Sequence, residues 1–319
     1  MVSANLNKLG FESTHHPAYT IGMLTDNKFG DAQPLSIAYQ KIDENLQNIE
    51  GIPIITGFIG KNLDGRITTL GRGGSDFTAA IVGASINADE IQIWTDVDGV
   101  MTTDPRICSN VQPISEMTFN EAAELAYFGA KVLHPRTIIP AVEKNINVVV
   151  KNTMNQDHPG TTIVNNTEDE SIVTSISIKR NVMILRIESA RMLNAHGFLA
   201  RIFSIFEKYE VSVDMIATSE VSVSMTLNSD TYTSLIEELE ELGNVSIRND
   251  VSIICVVGRN LRNNNRIQSE IFSCIENEGI NVRMISQGAS LINVGFVIDE
   301  ENGDKAVRLL HERFIENGY

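Results

Sequence analysis

The residues best suited to chemistry lie between Ile67 and Arg106. Ile67-Thr68-Thr69 reads as the end of a strand. It is followed by Leu70-Gly71-Arg72-Gly73-Gly74-Ser75-Asp76 and then by the apolar run Phe77-Thr78-Ala79-Ala80-Ile81-Val82. Glycines 71, 73 and 74 let the backbone approach a bound group and present its N–H donors. Arg72 adds a forked cation that matches a carboxylate or a phosphate. Ser75 reads as the N-cap of the following helix, with Asp76 in its first turn. A strand at Glu90–Trp94 leads to a second polar loop, Thr95-Asp96-Val97-Asp98-Gly99-Val100, and then to Thr103-Asp104-Pro105-Arg106. Two polar loops after two apolar strands suit ligand binding beyond the carboxyl ends of an α/β sheet.

The elements that must hold these loops alternate strand and helix to about residue 165. That pattern implies a mostly parallel sheet with helices on both faces. Residues 1–16 show no strong period. Strands are expected at Ala18–Leu24, Ile52–Gly60 and Ile146–Val150, and a helix at Ala38–Ile49. Thr118 and Glu121 form a capping box for a helix through Ala126 that ends near Gly129. A further helical segment opens at Gly129–Pro135, and His134 is read as structural there.

The second half is a duplication. The helix 198–209, with Leu199, Ile202, Phe203 and Phe206 in register, precedes Val211-Ser212-Val213-Asp214-Met215-Ile216. The helix containing Ile267, Ile271, Cys274 and Ile275 precedes Ile280-Asn281-Val282-Arg283-Met284-Ile285, 69 residues on. Each copy reads as βαββαβ. The first has strands at 182–188, 211–217, 221–227 and 245–248. The second lacks a sixth strand, and the apolar run Ile172–Ile178 is expected to supply it, so that the first copy is inserted within the second.

The ordered motifs LGRGGSD (70–76), TDVDGV (95–100), TTDPR (102–106), ELAYFGAKVLHP (124–135) and PGTTI (159–163) resemble the aspartate kinases, of the lysine-sensitive type. The resemblance covers essentially the whole chain. It implies an α/β amino-acid-kinase fold over residues 1–170, followed by two ferredoxin-like ACT domains. The first of these is the effector-binding copy at 181–250, and the second, at 251–319, is completed by strand 172–179. The implied reaction is phosphoryl transfer from ATP, with Mg²⁺ carried on the nucleotide, to the side-chain carboxylate of L-aspartate, giving 4-phospho-L-aspartate. This is the first step towards lysine, threonine, methionine and isoleucine. Positioning and cationic neutralisation supply most of such a catalysis.

By the same resemblance Arg72 and Asp76 are catalytic, and Arg72, Gly73, Gly74 and Ser75 hold the amino-acid substrate. Thr95, Asp96, Met101, Arg106, Lys131 and Val132 form the nucleotide side, and no protein metal site is implied. Met101 stands where the family commonly has Tyr, so a phenol hydroxyl is absent. Met192, Phe198, Leu199, Ser212, Val213, Asp214, Ser219 and Glu220 match a lysine effector site. The second copy has Arg283 in place of Asp214, with Gln287-Gly288-Ala289 near where the first has Thr218-Ser219-Glu220. Only the first copy is therefore expected to bind effector, and the second to pair subunits in a homodimer or larger assembly.

The family's Lys-x-Gly-Gly phosphate loop has no counterpart in this sequence. The resemblance starts partway through the kinase domain, and little kinase activity is expected of the isolated chain. The rival readings are a non-catalytic amino-acid-sensing regulatory subunit, or a truncated kinase, and a kinase acting on glutamate or a carbamate.

Composition sets bounds on all of these. The 319 residues are 42% hydrophobic and 21% charged, with a net charge of −16. The acidic balance disfavours a nucleic-acid partner. No apolar run approaches a membrane span and the N-terminus has no signal-peptide pattern. Three scattered cysteines fit a reducing, cytoplasmic setting.

Overall fold

The computed structural model describes residues 1–128, 135–167, 172–193, 196–230, 232–259, 261, 264–287 and 292–318. Two compact units result, one of Met1–Met101 with Pro113–Asp169, the other of Thr102–Gln112 with Glu170–Tyr319. The TTDPR loop thus clusters with the C-terminal unit, although its sequence neighbours lie in the other.

In the first unit, helix α1 (Val2–Lys8) precedes strand β1 (Ser13–His16), and α2 (Ser36–Leu46) precedes β2 (Ile52–Ile55), which pairs with β1 in parallel. β3 (Ile59–Lys61) and β4 (Ile67–Thr69) form an antiparallel pair ahead of α3 (Gly74–Ser85). β5 (Glu90–Thr95), β6 (Glu116–Thr118), α4 (Phe119–Tyr127), α5 (Ile139–Lys144), β7 (Asn147–Asn152) and β8 (Thr161–Val164) follow. The sheet order is β5-β7-β8-β6, with the outer pairs parallel and β7–β8 antiparallel. The expected capping box is present on α4: the Glu121 amide donates to Thr118 Oγ1, and the Thr118 amide donates to Glu121.

Three local expectations are corrected here. Ala18 and residues 21–24 are buried, but the segment 18–24 is no strand. Its amides are spent locally, Met23 N on Ala18 O and Leu24 N on Gly22 O, because Gly22 turns the backbone at φ 107°. Ile52–Gly60 is two strands. Phe58, at φ 75°, breaks the run and donates its amide to Thr78 Oγ1. Ser75 is not the N-cap of α3; Gly73 is, in the left-handed region. The expected helix end near Gly129 and the helical start over 129–134 lie outside the described residues. Pro135–Ile138 is a 3-10 turn leading into α5.

The second unit is built on one six-stranded sheet. β9 (Val173–Glu188) leads to α6 (Phe198–Lys208), β10 (Ile216–Thr218), β11 (Ser222–Asn228), α7 (Thr233–Glu240) and β12 (Asn244–Gly258). α8 (Asn265–Glu276), β13 (Val282–Ser286), β14 (Asn293–Asp299) and α9 (Gly303–His311) complete it. The order is β10-β11-β9-β12-β14-β13. The runs 172–178 and 182–188, read separately in the sequence, are one strand, and so are 245–248 and 251–257. Residues 182–188 of β9 pair with β11, and 184–188 also pair with 244–248 of β12; residues 173–179 pair with 253–258. Asn181 (φ 55°) and Asp250 (φ 56°) mark the passage in each strand from one repeat to the other. These residue types tolerate the left-handed region, and the β12 register shifts there as at a bulge.

Each repeat has its own core. Leu185, Ile202, Phe206, Met225 and Leu239 belong to the first, and Ile176, Ile254, Ile271, Phe296 and Leu310 to the second. The expected strand 211–217 shortens to β10. The Val211 amide goes back to Phe206 O at the end of α6, and the Asp214 and Met215 amides are taken by Thr226. The last helix, α9, does not stop at its final α-helical residue. Beyond His311 it continues as one π turn, Glu312–Glu316.

Candidate active site and effector cleft

β4 ends at Thr69, and the Leu70 amide donates to Phe58 O. The chain then turns through Gly71 and Gly73. Gly73 (φ 68°, ψ 18°) is a conformation a side chain disfavours, and it starts α3 at Gly74. A Cβ on Gly74 would lie 2.6 Å from the Phe58 ring, so the helix start is pressed against that ring. Phe58, Gly71, Arg72, Gly73, Gly74, Ser75 and Asp76 line a cleft of about 480 Å³. All the residues expected to hold the amino-acid substrate therefore share one cavity. Among the described residues neither Arg72 nor Asp76 has an ion-pair partner. Burial pushes the Asp76 carboxyl above its ordinary range. Such a wall offers a forked cation, helix-start donors and one acid, the complement of an amino-acid zwitterion.

Sequence reasoning missed what supports this turn. Arg136 donates to Asp31 Oδ1 at 2.6 Å and to Leu70 O at 2.8 Å, and its guanidinium lies 5.3 Å from the centre of the Phe77 ring. Asp31 and Arg136 are far apart in sequence and belong to no motif. Phe58 was readable only as an apolar residue between two glycines.

The expected nucleotide residues are divided. Thr95 ends β5 and donates to Asp96 Oδ1 at 3.2 Å. In the same loop Asp98 accepts from the Asn152 and Asn155 amides (2.8 and 3.0 Å), which hold its carboxyl below the ordinary range. Met101 bridges to Pro113. Arg106 belongs to the other unit. It is 80% exposed and forked on Asp104, with its closest contact at 2.6 Å. Lys131 and Val132, like His134, lie outside the described residues.

In the first repeat, α6 starts at left-handed Gly197 with no side-chain cap. Met192, Leu193, Gly197, Phe198, Leu199, Ser219 and Glu220 line a cleft of about 450 Å³ there. Five of the eight expected effector residues are brought together in it. Ser212, Val213 and Asp214 do not line it. The Asp214 side chain is 3% exposed and pairs with Lys179 at 2.6 Å. Arg283, its counterpart in the second repeat, pairs with Asp299 at 2.6 Å. Gly288 and Ala289 lie outside the described residues.

The amino acid kinase family matches residues 1–152, and the ACT domain matches residues 185–241 and 254–314. "Lysine-sensitive aspartokinase 3" of Escherichia coli (strain K12) is 39% identical over 307 residues, covering 92% of this chain and 68% of that protein. The chain belongs to the aspartokinase family. "Aspartokinase 3, chloroplastic" of Arabidopsis thaliana is 42% identical over 332 residues, 99% of this chain and 59% of the relative. The chain spans 58% to 61% of the length of the curated Arabidopsis relatives. A crystal structure of E. coli aspartokinase III in complex with aspartate and ADP, its R-state, matches with a TM-score of 0.84 at 37% identity, over 97% of this chain and 71% of that one. The same enzyme with lysine and aspartate, its T-state, matches at 0.81 and 36%. An amino-acid-kinase region followed by ACT domains is thus the fold. Among the described residues no helix is long and apolar enough to cross a membrane.

Proposed function

We propose that the protein is an aspartate kinase under lysine feedback. An oxygen of the L-aspartate side-chain carboxylate attacks the γ-phosphorus of Mg·ATP, the bond to the β-γ bridging oxygen breaks, and ADP leaves with 4-phospho-L-aspartate. The cleft that joins Arg72, Ser75 and Asp76 at the start of α3 carries this reading. Arg72 clamps a substrate carboxylate, Gly73, Gly74 and Ser75 supply the turn and its donors, and Asp76 complements the ammonium group. Thr95, Asp96, Met101, Arg106, Lys131 and Val132 form the nucleotide side, with Arg106 and Lys131 neutralising phosphate charge. Mg²⁺ enters on the nucleotide.

The domain division of this reading is 1–170 for the kinase and 181–250 and 251–319 for the ACT pair, the latter completed by strand 172–179. Lysine is the effector of the first repeat, held by Met192, Phe198, Leu199, Ser219 and Glu220 with Ser212 and Val213. Asp214 joins them by exchanging the Lys179 ammonium for that of the effector. The ACT pair associates into a homodimer or larger assembly. A reducing, cytoplasmic setting is supported by three free cysteines. A purely sensing subunit is not favoured, because the relatives match across both the kinase and the ACT regions.

Aspartate-dependent ADP release by the chain joined to a first lobe that carries a Lys-x-Gly-Gly loop tests the reading, and its absence there would overturn it; the isolated chain is expected to show little. Arg72→Ala is expected to raise the aspartate KM about 10- to 100-fold, the cost of losing a charged fork. Arg106→Ala is expected to weaken ATP instead. Equal effects of both changes on both substrates would remove the two-sided assignment.

A further inference from the structure

The loop Thr102–Gln112 is held by the last helix of the second repeat. His311 is fully buried. Its Nε2 lies 2.9 Å from Thr102 Oγ1, and its Nδ1 lies 3.0 Å from Glu316 Oε1. The partners assign the proton positions. An ionised Glu316 can only accept, so Nδ1 donates to it; in the neutral ring Nε2 then accepts from the Thr102 hydroxyl. The same hydroxyl accepts from the Gln112 amide at 3.1 Å, and the Thr102 amide donates to Gln112 O at 2.9 Å. Residues 102 and 112 are the two ends of the loop, so the imidazole sits on its neck.

Three further bonds fix the loop, two on its body and one more at its neck. Asn110 Nδ2 donates to Glu316 Oε2 at 2.9 Å, Arg308 Nε to Ile107 O at 2.9 Å, and the Ile176 amide to Thr102 O at 2.8 Å. Cys108 lies in the core of the second repeat, with Ile107 and Val111 packed against it. The π turn makes this possible. The Asn317 amide bonds Glu312 O, a five-residue step, and the same five-residue step brings Glu316 to His311. An α-helical turn would bring residue 314 or 315 there instead.

We propose that His311 and Glu316 are positioning residues for the nucleotide side: they hold loop 102–112 closed, and with it the turn that carries Arg106. This rests on the reading of Arg106 as a nucleotide contact. The second repeat, in this account, sets the ATP affinity.

The test uses the intact protein with Thr102→Val, Thr102→Ser, His311→Phe and Arg106→Ala. Hydrogen exchange is followed at residues 103–111, and dissociation constants are measured for Mg·ATP and for aspartate. His311→Phe and Thr102→Val are expected to speed exchange in the loop about tenfold and to weaken Mg·ATP by a similar factor, as for one or two lost hydrogen bonds. Aspartate affinity should move less than about twofold, and exchange at residues 251–257 should stay slow. Thr102→Ser keeps the hydroxyl and should behave as wild type. If His311→Phe does not fold, the Val and Ser variants decide the matter between them. Unchanged exchange in Thr102→Val overturns the proposal. So does faster exchange with unchanged Mg·ATP affinity, and if Arg106→Ala still weakens Mg·ATP, the reading of Arg106 survives alone. If Arg106→Ala has no effect, or the wild type binds no Mg·ATP, the reading itself fails and the proposal falls with it.

Discussion

In the first repeat the leading helix α6 begins at Gly197, with no side chain on its terminal amides and a cleft beside them. In the second, α8 begins at Asn264, whose Oδ1 accepts from the Ile267 amide at 3.3 Å. One cap thus separates two copies of the same fold: among the described residues the first leaves its helix-start donors uncapped beside the cleft, and the second spends one of them on its own cap. The charges differ likewise. Asp214 is buried against Lys179, while Arg283 is near the surface and shares Asp299 with Arg248. The second repeat places its polar capacity elsewhere, at the far end of its last helix. A duplicated domain can therefore change its polar chemistry without changing its topology, by moving a few capping and charged side chains.

The contrast in charge burial gives the largest expected effect. Lys179→Met leaves Asp214, 3% exposed, without that ammonium. A loss of about 3 kcal/mol is expected from chemical denaturation of the intact chain. Asp214→Ala should cost less, because Lys179 is 21% exposed and its ammonium can turn to water. The reverse order would mean that Lys179 matters for packing and not for charge.

A middle-sized effect concerns the clefts. Calorimetry with lysine should find binding that Glu220→Gln weakens about tenfold, as for a lost charged hydrogen bond. Arg283→Ala should leave that binding within about twofold of wild type. Equal loss in both would erase the functional contrast between the repeats.

The smallest effect is on the exposed pair. Arg283→Ala should lower Tm by about 1–2 °C at neutral pH, since Asp299 keeps Arg248. The Arg283 hydrogen bond, more than any other group, holds the Asp299 carboxyl below its ordinary range. A depressed folded value means that the carboxylate stabilises the fold fully above the unfolded pKa and loses that contribution as pH falls through the folded one. The Tm curves of wild type and Arg283→Ala should therefore converge as pH falls below the ordinary carboxylate range.

Much of this was legible in the sequence. The capping box of α4, the registered apolar faces of α6 and α8, and the glycine turn ahead of α3 are local signals, and local signals survive folding. The misread strands share one cause, which is competition for backbone amides. Met215 gives its amide to the Thr226 hydroxyl and Phe58 gives its amide to Thr78, and neither partner is visible from the strand's own sequence. Arg136, Asp31 and His311 were invisible for a related reason. Their partners lie 66, 105 and 209 residues away, so only the fold brings them to their sites.

The strands β9 and β12 run through both repeats, and this makes the pair a single cooperative unit. Melting either repeat unzips a strand that the other depends on, so both should lose amide protection together as one foldon. Folding must also join residues 173–179 to 253–258 across the whole inserted repeat, a non-local pairing that slows the search. A chain cleaved near Asp250 would keep the first repeat's own strands but leave Val173, Ile176 and Ile178 on an unpaired apolar edge. Such an edge is a template for another chain, so proteolytic nicking at that point should lead to aggregation and not to two independent halves.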